Sequence, residues 1–285
     1  MSKKIKIVAD STCDISPELT KKYNIEIHPF VVNLGEKSFR DGVDISTDDI
    51  LKYYRETGNV SKTAAAPPGE YEELFRKWPS DEYDVLFFTI SKGFSSAYAN
   101  ACIAAESFDN IYVVESANLS TGILLVVLAA ADMVESGLSA KEIAGKLKDI
   151  VPKVRTSFVI DTLEFLWKGG RCSGVAALGA NLLKLKPCIE VIDGNMSVGK
   201  KYRGNIDKVI LSYVTDKLKD RDDIDRHRIF ITHTKCNPLV PAQVRNKINE
   251  LYPGFEEICE TVAGCTITSH CGPATLGILF VRKSK

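Results

Sequence analysis

Five side chains stand out as able to do chemistry: His270, Ser95, Thr63, Arg171 and Arg203. His270 is one of four histidines and lies in the run Gly264-Cys265-Thr266-Ile267-Thr268-Ser269-His270-Cys271-Gly272-Pro273-Ala274-Thr275-Leu276-Gly277. The segment before it reads as a strand ending at Ser269-His270, and Gly272-Pro273 turns the chain beside the imidazole. A side chain where a strand gives way to a loop is often a working one, although a lone histidine is also an ordinary structural residue. Thr63 falls in a loop spanning 58–69 that contains Pro67-Pro68, where the plain role is a turn or cap. Ser95 precedes an alanine-rich helix expected from about Ala97. It can cap that helix and still serve an anion, because a helix N-terminus attracts negative charge. Arg171 follows Gly169-Gly170, and Arg203 stands between Tyr202 and Gly204; each reads first as a solvated loop charge.

Several chemistries have no support. The sequence lacks Gly-x-x-x-x-Gly-Lys-Ser/Thr and Gly-x-Gly-x-x-Gly, the usual phosphate and dinucleotide cradles. It also lacks the Gly-x-Ser-x-Gly elbow of α/β-hydrolases. His28, His227 and His233 lie in or near strands with no metal-ligand spacing to another His or Cys. The eight cysteines form no Cys-x-x-Cys pair, so neither a zinc site nor a disulfide framework is expected, and reduced thiols in the cytoplasm are the default. Lys plus Arg and Asp plus Glu both total 37, which argues against a general nucleic-acid binder. The N-terminus has too short and too charged an apolar stretch for a signal peptide. The apolar run from Gly122 to Ala131 is too short to span a bilayer.

The elements that must position these residues alternate between strand and helix. Strands are expected at 4–9, 25–34, 84–90 and 111–115. The first runs into Asp10-Ser11-Thr12-Cys13-Asp14, where both aspartates read as caps. Ser16 caps a helix with Pro17 at its first position, and 39–44 reads as a turn. Ser46 or Thr47 opens a helix with Asp48 and Asp49 in its first turn. Helices are expected at 70–78 and, apolar on nearly all faces and therefore buried, at 119–134; Ser139-Ala140-Lys141-Glu142 is a capping box. Three of the strands end in loops carrying hydroxyls, Ser11 and Thr12, then Ser95 and Ser96, then Ser116. Open α/β sheets bind ligands beyond the carboxyl ends of their strands. After about Val154 the order is mixed: strands at 156–160, 229–233, 256–262 and 276–281, and a hairpin across Asp193-Gly194-Asn195. A short helix at 161–167 and further helices at 175–185, 206–218 and 240–251 complete the half. The expected fold class is α/β in two domains: 1–155 Rossmann-like with a mostly parallel sheet, and 156–285 of α+β character.

Taken in order, the sequence resembles the DegV family of fatty-acid-binding proteins. The resemblance rests on Val8-Ala9-Asp10-Ser11-Thr12-Cys13-Asp14, Phe39-Arg40-Asp41-Gly42-Val43-Asp44-Ile45, Thr63-Ala64-Ala65-Ala66-Pro67-Pro68-Gly69, Ile90-Ser91-Lys92-Gly93-Phe94-Ser95-Ser96-Ala97-Tyr98, Leu166-Trp167-Lys168-Gly169-Gly170-Arg171 and the run around His270. It implies two α/β domains with an internal lipid tunnel. It implies that Thr63, Ser95 and His270 hold the carboxylate of a long-chain fatty acid such as palmitate, with Arg171 in support and no cofactor, metal or catalytic residue. It further implies a separate ATP-dependent fatty-acid kinase as partner, faced by Arg203, with no membrane-spanning segment, although transient contact with a membrane stays compatible with it. The sequence departs from the family pattern at Ala64-Ala65, where Ser-Gln is usual, and at Ser96-Ala97, where Gly-Thr is usual. The alternative from another class is a hydrolase acting on an acyl substrate, with Ser95 as nucleophile and His270 as base. It requires the two to touch and an acid to orient the histidine, for which Asp10 or Asp14 are the candidates.

Overall fold

The computed structural model describes residues 3–172 and 185–283. Strand β1 (Lys4–Asp10) pairs in parallel with β2 (Glu26–His28), Val8 standing opposite Glu26. The single strand expected over 25–34 then divides at Pro29-Phe30. A proline has no amide to give to a ladder, and beyond it β3 (Val31–Leu34) joins β4 (Lys37–Arg40) and β5 (Lys62–Ala64) in a separate antiparallel sheet of order β4-β3-β5. Two further expectations change with it. The segment 39–44 turns only after Arg40, and the loop expected over 58–69 contains β5, with Thr63 opposite Val32. Strands β6 (Tyr83–Thr89) and β7 (Ile111–Glu115) complete the first sheet, which is parallel throughout in the order β2-β1-β6-β7.

Three helices of this half, α1, α2 and α6, start where a side chain satisfies one of their first amides. The Ser16 hydroxyl accepts from Leu19 N at 3.3 Å at the head of α1 (Pro17–Lys22). Reciprocal capping boxes open α2 (Thr47–Thr57) through Ser46 and Asp49, and a later helix through Ser139 and Glu142. Helix α3 (Pro68–Phe75) begins two residues earlier than expected, since proline suits the first turn. Helix α4 (Ala97–Ala105) follows Ser95-Ser96. Helix α5 (Thr121–Glu135) is buried on nearly every face, and α6 (Ala140–Ile150) is the helix of the second capping box.

The remaining elements are β8 (Val154–Val159), α7 (Glu164–Gly169), β9 (Lys186–Ile192), β10 (Asn195–Tyr202), α8 (Ile206–Leu218), β11 (Ile224–His233), α9 (Leu239–Leu251), β12 (Glu257–Val262), α10 (Cys265–Cys271) and β13 (Leu276–Arg282). The strands form one sheet of order β10-β9-β8-β13-β11-β12. Strands β11 and β12 run parallel and the other neighbours antiparallel, the mixed character expected of this half. The helix expected over 175–185 falls, but for Leu185, outside the described residues. Helix α5 touches β1 and β6 on one side and β8 and β13 on the other. That placement between two sheets explains its all-round apolar sequence and makes it the shared centre of the core. Among the described residues no helix is long and apolar enough to cross a membrane.

The β9–β10 hairpin fixes a contact that matters for the site. Asp193 (φ 48°) and Gly194 (φ 75°) are both left-handed, as a two-residue hairpin turn requires. The turn packs on the loop leading to Ser95, the Ser91 hydroxyl donating to Gly194 O at 2.7 Å. A Cβ at residue 194 would stand 2.7 Å from that hydroxyl. Gly194→Ala should therefore lower stability by about 1–2 kcal/mol from the backbone conformation alone, measured as a lower urea midpoint at unchanged slope.

Candidate functional site

His270 sits in the last turn of α10, not at the end of a strand. The β-branched run Thr266-Ile267-Thr268 favours a strand locally, but two carboxylates from the other half of the chain overrule it. Asp41 accepts from Cys265 N at 2.9 Å and from Thr266 N at 3.0 Å, and Asp14 accepts from Gly264 N at 2.8 Å. A helix of seven residues has too few internal bonds to persist alone. These contacts supply partners for amides that its own backbone leaves unpaired. The caps are themselves held: Ser11 Oγ donates to Asp41 at 3.0 Å and accepts from Phe30 N at 3.0 Å, while Ser120 Oγ donates to Asp14 at 2.5 Å. Asp10 accepts from Thr12 N at 3.1 Å and Ile90 N at 2.8 Å, tying the ends of β1 and β6 together. Burial away from water pushes Asp14 up to about 8 and Asp10 up to about 6, the hydrogen bonds each accepts pulling the other way.

The other walls come from three separate elements. Ser61 Oγ, buried next to β5, donates to Ser269 Oγ at 2.6 Å and seats Thr63 against α10. Thr63 Oγ1 and His270 Nε2 are 2.8 Å apart. Helix α7 is clamped to α2, Tyr54 donating to Glu164 at 2.5 Å and Lys168 donating to Gly58 O at 3.2 Å. The clamp brings Gly169 under the imidazole, where a Cβ would stand 2.4 Å from His270 Nδ1. Only glycine fits there.

Thr63, Ser95, His270 and Arg171 line one cavity of about 250 Å³. Ser95 Oγ accepts from Ala97 N at 3.2 Å at the start of α4, so its proton remains available to a ligand. Ala64, Ala65 and Ser96 lie in the same wall, so three of the four departures from the family pattern border the cavity, while Ala97 is buried in α4. Arg171 donates to Gly169 O at 2.6 Å and is exposed. Leu119, Ile267 and Cys271 are shared with a narrower apolar cleft of about 20 Å³ that runs on toward Phe158 and Leu279. Arg203 is exposed on the loop between β10 and α8 and does not border the cavity.

His270 is neutral in this setting. Burial, and secondarily the Arg171 charge, push its pKa down to about 4 from 6.5. Nδ1 is buried and has no hydrogen-bond partner among the described residues. A neutral ring needs one bare nitrogen, and placing it at Nδ1 leaves Nε2–H to donate to Thr63 Oγ1. The Thr63 proton then points into the cavity beside that of Ser95. Two hydroxyls, Thr63 on β5 and Ser95 at the start of α4, thus line one cavity.

The same geometry does not support a nucleophile. His270 bonds Thr63 rather than Ser95, and Asp10 and Asp14 are committed to backbone amides and hydroxyls elsewhere. Sequence reasoning missed Asp41 and Gly169 as determinants of the site. The Gly169-Gly170 pair was a visible signal of close approach; the capping role of Asp41 had none beyond its place in a family motif.

A family model described as an uncharacterised protein family, DegV, matches residues 4–283. The chain belongs to the DegV family. A DegV domain-containing protein of Clostridium acetobutylicum is 32% identical over 282 residues, 98% of this chain and 99% of that one. A Thermotoga maritima protein named fatty acid-binding protein is 29% identical, with 96% of each chain covered. The solved structure of a DegV family protein from Thermus thermophilus, described as fatty acid binding, superposes with a TM-score of 0.86 at 27% identity, covering 98% of this chain and 100% of that one. The likeness thus spans all three sheets of this DegV chain and the elements carrying Thr63, Ser95 and His270.

Two outcomes test this geometry. Asp41→Ala leaves the Cys265 and Thr266 amides without their acceptor and should cost about 1–3 kcal/mol in chemical denaturation, with loss of the Thr63–His270 contact by NMR. The His270 imidazole should titrate near pH 4. Because the unfolded chain takes up that proton near 6.5, the stability this residue contributes is fully present above pH 6.5 and is lost as pH falls toward 4. Asp10 and Asp14 act in the opposite sense over an overlapping range, so the check is the stability difference between the parent and His270→Gln, followed across that window.

Proposed function

We propose that this protein binds a long-chain fatty acid, with the carboxylate held by Thr63 and Ser95 and oriented through His270, and the acyl tail directed along the apolar cleft past Leu119 and Ile267. The observation that carries this reading is the 2.8 Å Thr63–His270 contact, with the Ser95 hydroxyl lining the same cavity. The fatty-acid binding described for the Thermotoga and Thermus relatives supports it. Energetically, a sixteen-carbon acid has about 15 methylenes, worth about 12 kcal/mol on burial before the costs of association and ordering. Tail burial supplies the affinity, and it also has to part the side chains of the narrow cleft. The head group is a matter of limiting loss, because a buried carboxylate without donors costs several kcal/mol.

On this reading the protein is a carrier rather than a catalyst, works without a cofactor, and is cytoplasmic. It presents the acid to a separate ATP-dependent fatty-acid kinase. Holding the carboxylate by hydroxyls, with Arg171 at the mouth, leaves that group accessible to later chemistry. Arg203, exposed and outside the cavity, is on this reading the contact for the partner rather than the ligand.

Lipid extracted from freshly purified protein should contain a long-chain acyl species by mass spectrometry, and added palmitate should raise the thermal midpoint. Thr63→Ala combined with Ser95→Ala should weaken palmitate binding by at least about tenfold, since hydrogen bonds to a charged group are worth about 1.5–3 kcal/mol each, with the fold retained. A double variant that binds as tightly as the parent would refute the head-group assignment. Arg203→Ala should leave palmitate affinity unchanged while reducing acyl-phosphate formation by an added fatty-acid kinase and ATP.

A further inference from the structure

A second, roomier cavity lies away from the residues just described. It encloses about 640 Å³ at the far end of the six-stranded sheet, where β8 begins and β13 ends. Its charged lining is Arg155, Lys217, Arg221 and Arg282 against Glu190 and Asp193, four cations to two carboxylates.

A third carboxylate, Asp223, pairs with Arg221, so the excess is left on Arg155 and Arg282, neither of which makes an ion pair among the described residues. Glu190 is taken by Lys217, and Asp193 is exposed in the hairpin turn. Arg221 is held in a fixed pose, bidentate to Asp223 at 2.8 Å for both bonds and stacked 5.1 Å over the Phe280 ring. Arg155 gives Nη1 to the carbonyls of Pro152 and Val154, each at 2.9 Å, which fixes its guanidinium without neutralising it. The Nε of Arg282 is sealed from solvent and has no hydrogen-bond partner among the described residues. Three partly buried guanidinium groups thus share one hollow. Burial, together with the neighbouring Arg282 and Arg221 charges, makes the Arg155 cation less favourable than in water.

Such repulsion is a standing cost to the fold, and an anion that bridges Arg155 and Arg282 beside the Asp223-paired Arg221 would relieve it. Guanidinium forks match phosphoryl oxygens two at a time. The volume exceeds what one phosphate needs, and Val151, Pro152 and Phe280 add an apolar wall. We infer that this cavity is a second ligand site, taking a small molecule that carries adjacent phosphoryl groups. The site shares no lining residue with the carboxylate cavity. It does share the Asp193-Gly194 turn that packs against the loop leading to Ser95.

The test uses the full chain with inorganic pyrophosphate and ADP as separate probes, followed by calorimetry and thermal shift. Binding of at least one probe, weakened by added KCl, is expected. Arg155→Gln and Arg282→Gln should each reduce that affinity by about tenfold or more. Both variants should keep or raise the thermal midpoint of the unliganded protein, since each removes one repelling charge, and both should bind palmitate as the parent does. Comparable binding of the two probes assigns the inorganic group as sufficient; tighter binding of ADP assigns a nucleotide. Absence of binding by both probes at millimolar concentration overturns the inference, as does binding that is equal in the parent and both variants. Because palmitate binding is read separately, failure here is distinguishable from failure of the fatty-acid reading.

Discussion

The structure depends on two buried carboxylates reaching the head of one short helix. Asp14 and Asp41 come from the ends of the first parallel strand and of a small antiparallel sheet, and together they take the amides of Gly264, Cys265 and Thr266. Without these bonds α10 would be a strand-prone segment with unpaired amides in the interior. With them it is a helix whose last turn carries His270 to Thr63. The contacts bridge about 220 to 250 positions of sequence, so the ligand-facing residues can assemble only after both halves of the chain have folded against each other. The cost of this arrangement is visible in Asp14 and Asp10, which burial drives toward their protonated forms.

That dependence shapes what the site can do. An imidazole held neutral, with one nitrogen bonded to a threonine and the other sealed against Gly169, is a poor general base: its pKa is depressed to about 4, and no acid orients it. It is a good fixture for a hydroxyl. On the proposed reading, the proton it gives to Thr63 Oγ1 frees the threonine proton for a ligand oxygen, and Ser95, already accepting from the start of α4, offers a second. Catalysis by Ser95 would ask for the opposite arrangement, with a basic nitrogen on the serine. The pattern of donors distinguishes binding from hydrolysis more sharply than the residue types do.

Helix α5 links the two ends of the molecule. It lies between the sheets, and Leu119 just before it contributes to both the cavity of Thr63, Ser95 and His270 and the apolar cleft. Asn118, one residue earlier, borders the basic cavity instead and accepts from the Thr156 hydroxyl at 2.7 Å. Neighbouring residues at the entrance to α5 therefore border two different cavities.

Much of this was legible in the residues. The strand–helix alternation, the capping boxes at Ser46 and Ser139, the buried run that became α5 and the Asp193-Gly194 hairpin all follow from local physics: periodicity, side-chain acceptors for first-turn amides, and turn conformations. Thr63, Ser95 and His270 were named as partners only because the motifs resemble a family; nothing in their spacing, 32 and 175 residues apart, predicts contact. Tertiary structure alone decided that 265–271 is helix rather than strand, that 25–34 breaks at Pro29 into two sheets, and that Thr63 lies on a strand. It also decided that three arginines from distant segments share one hollow. The physical reason is the same in each case: backbone amides and charged side chains take the partners that the folded chain brings near, and those partners lie too far away in sequence for any local preference to register.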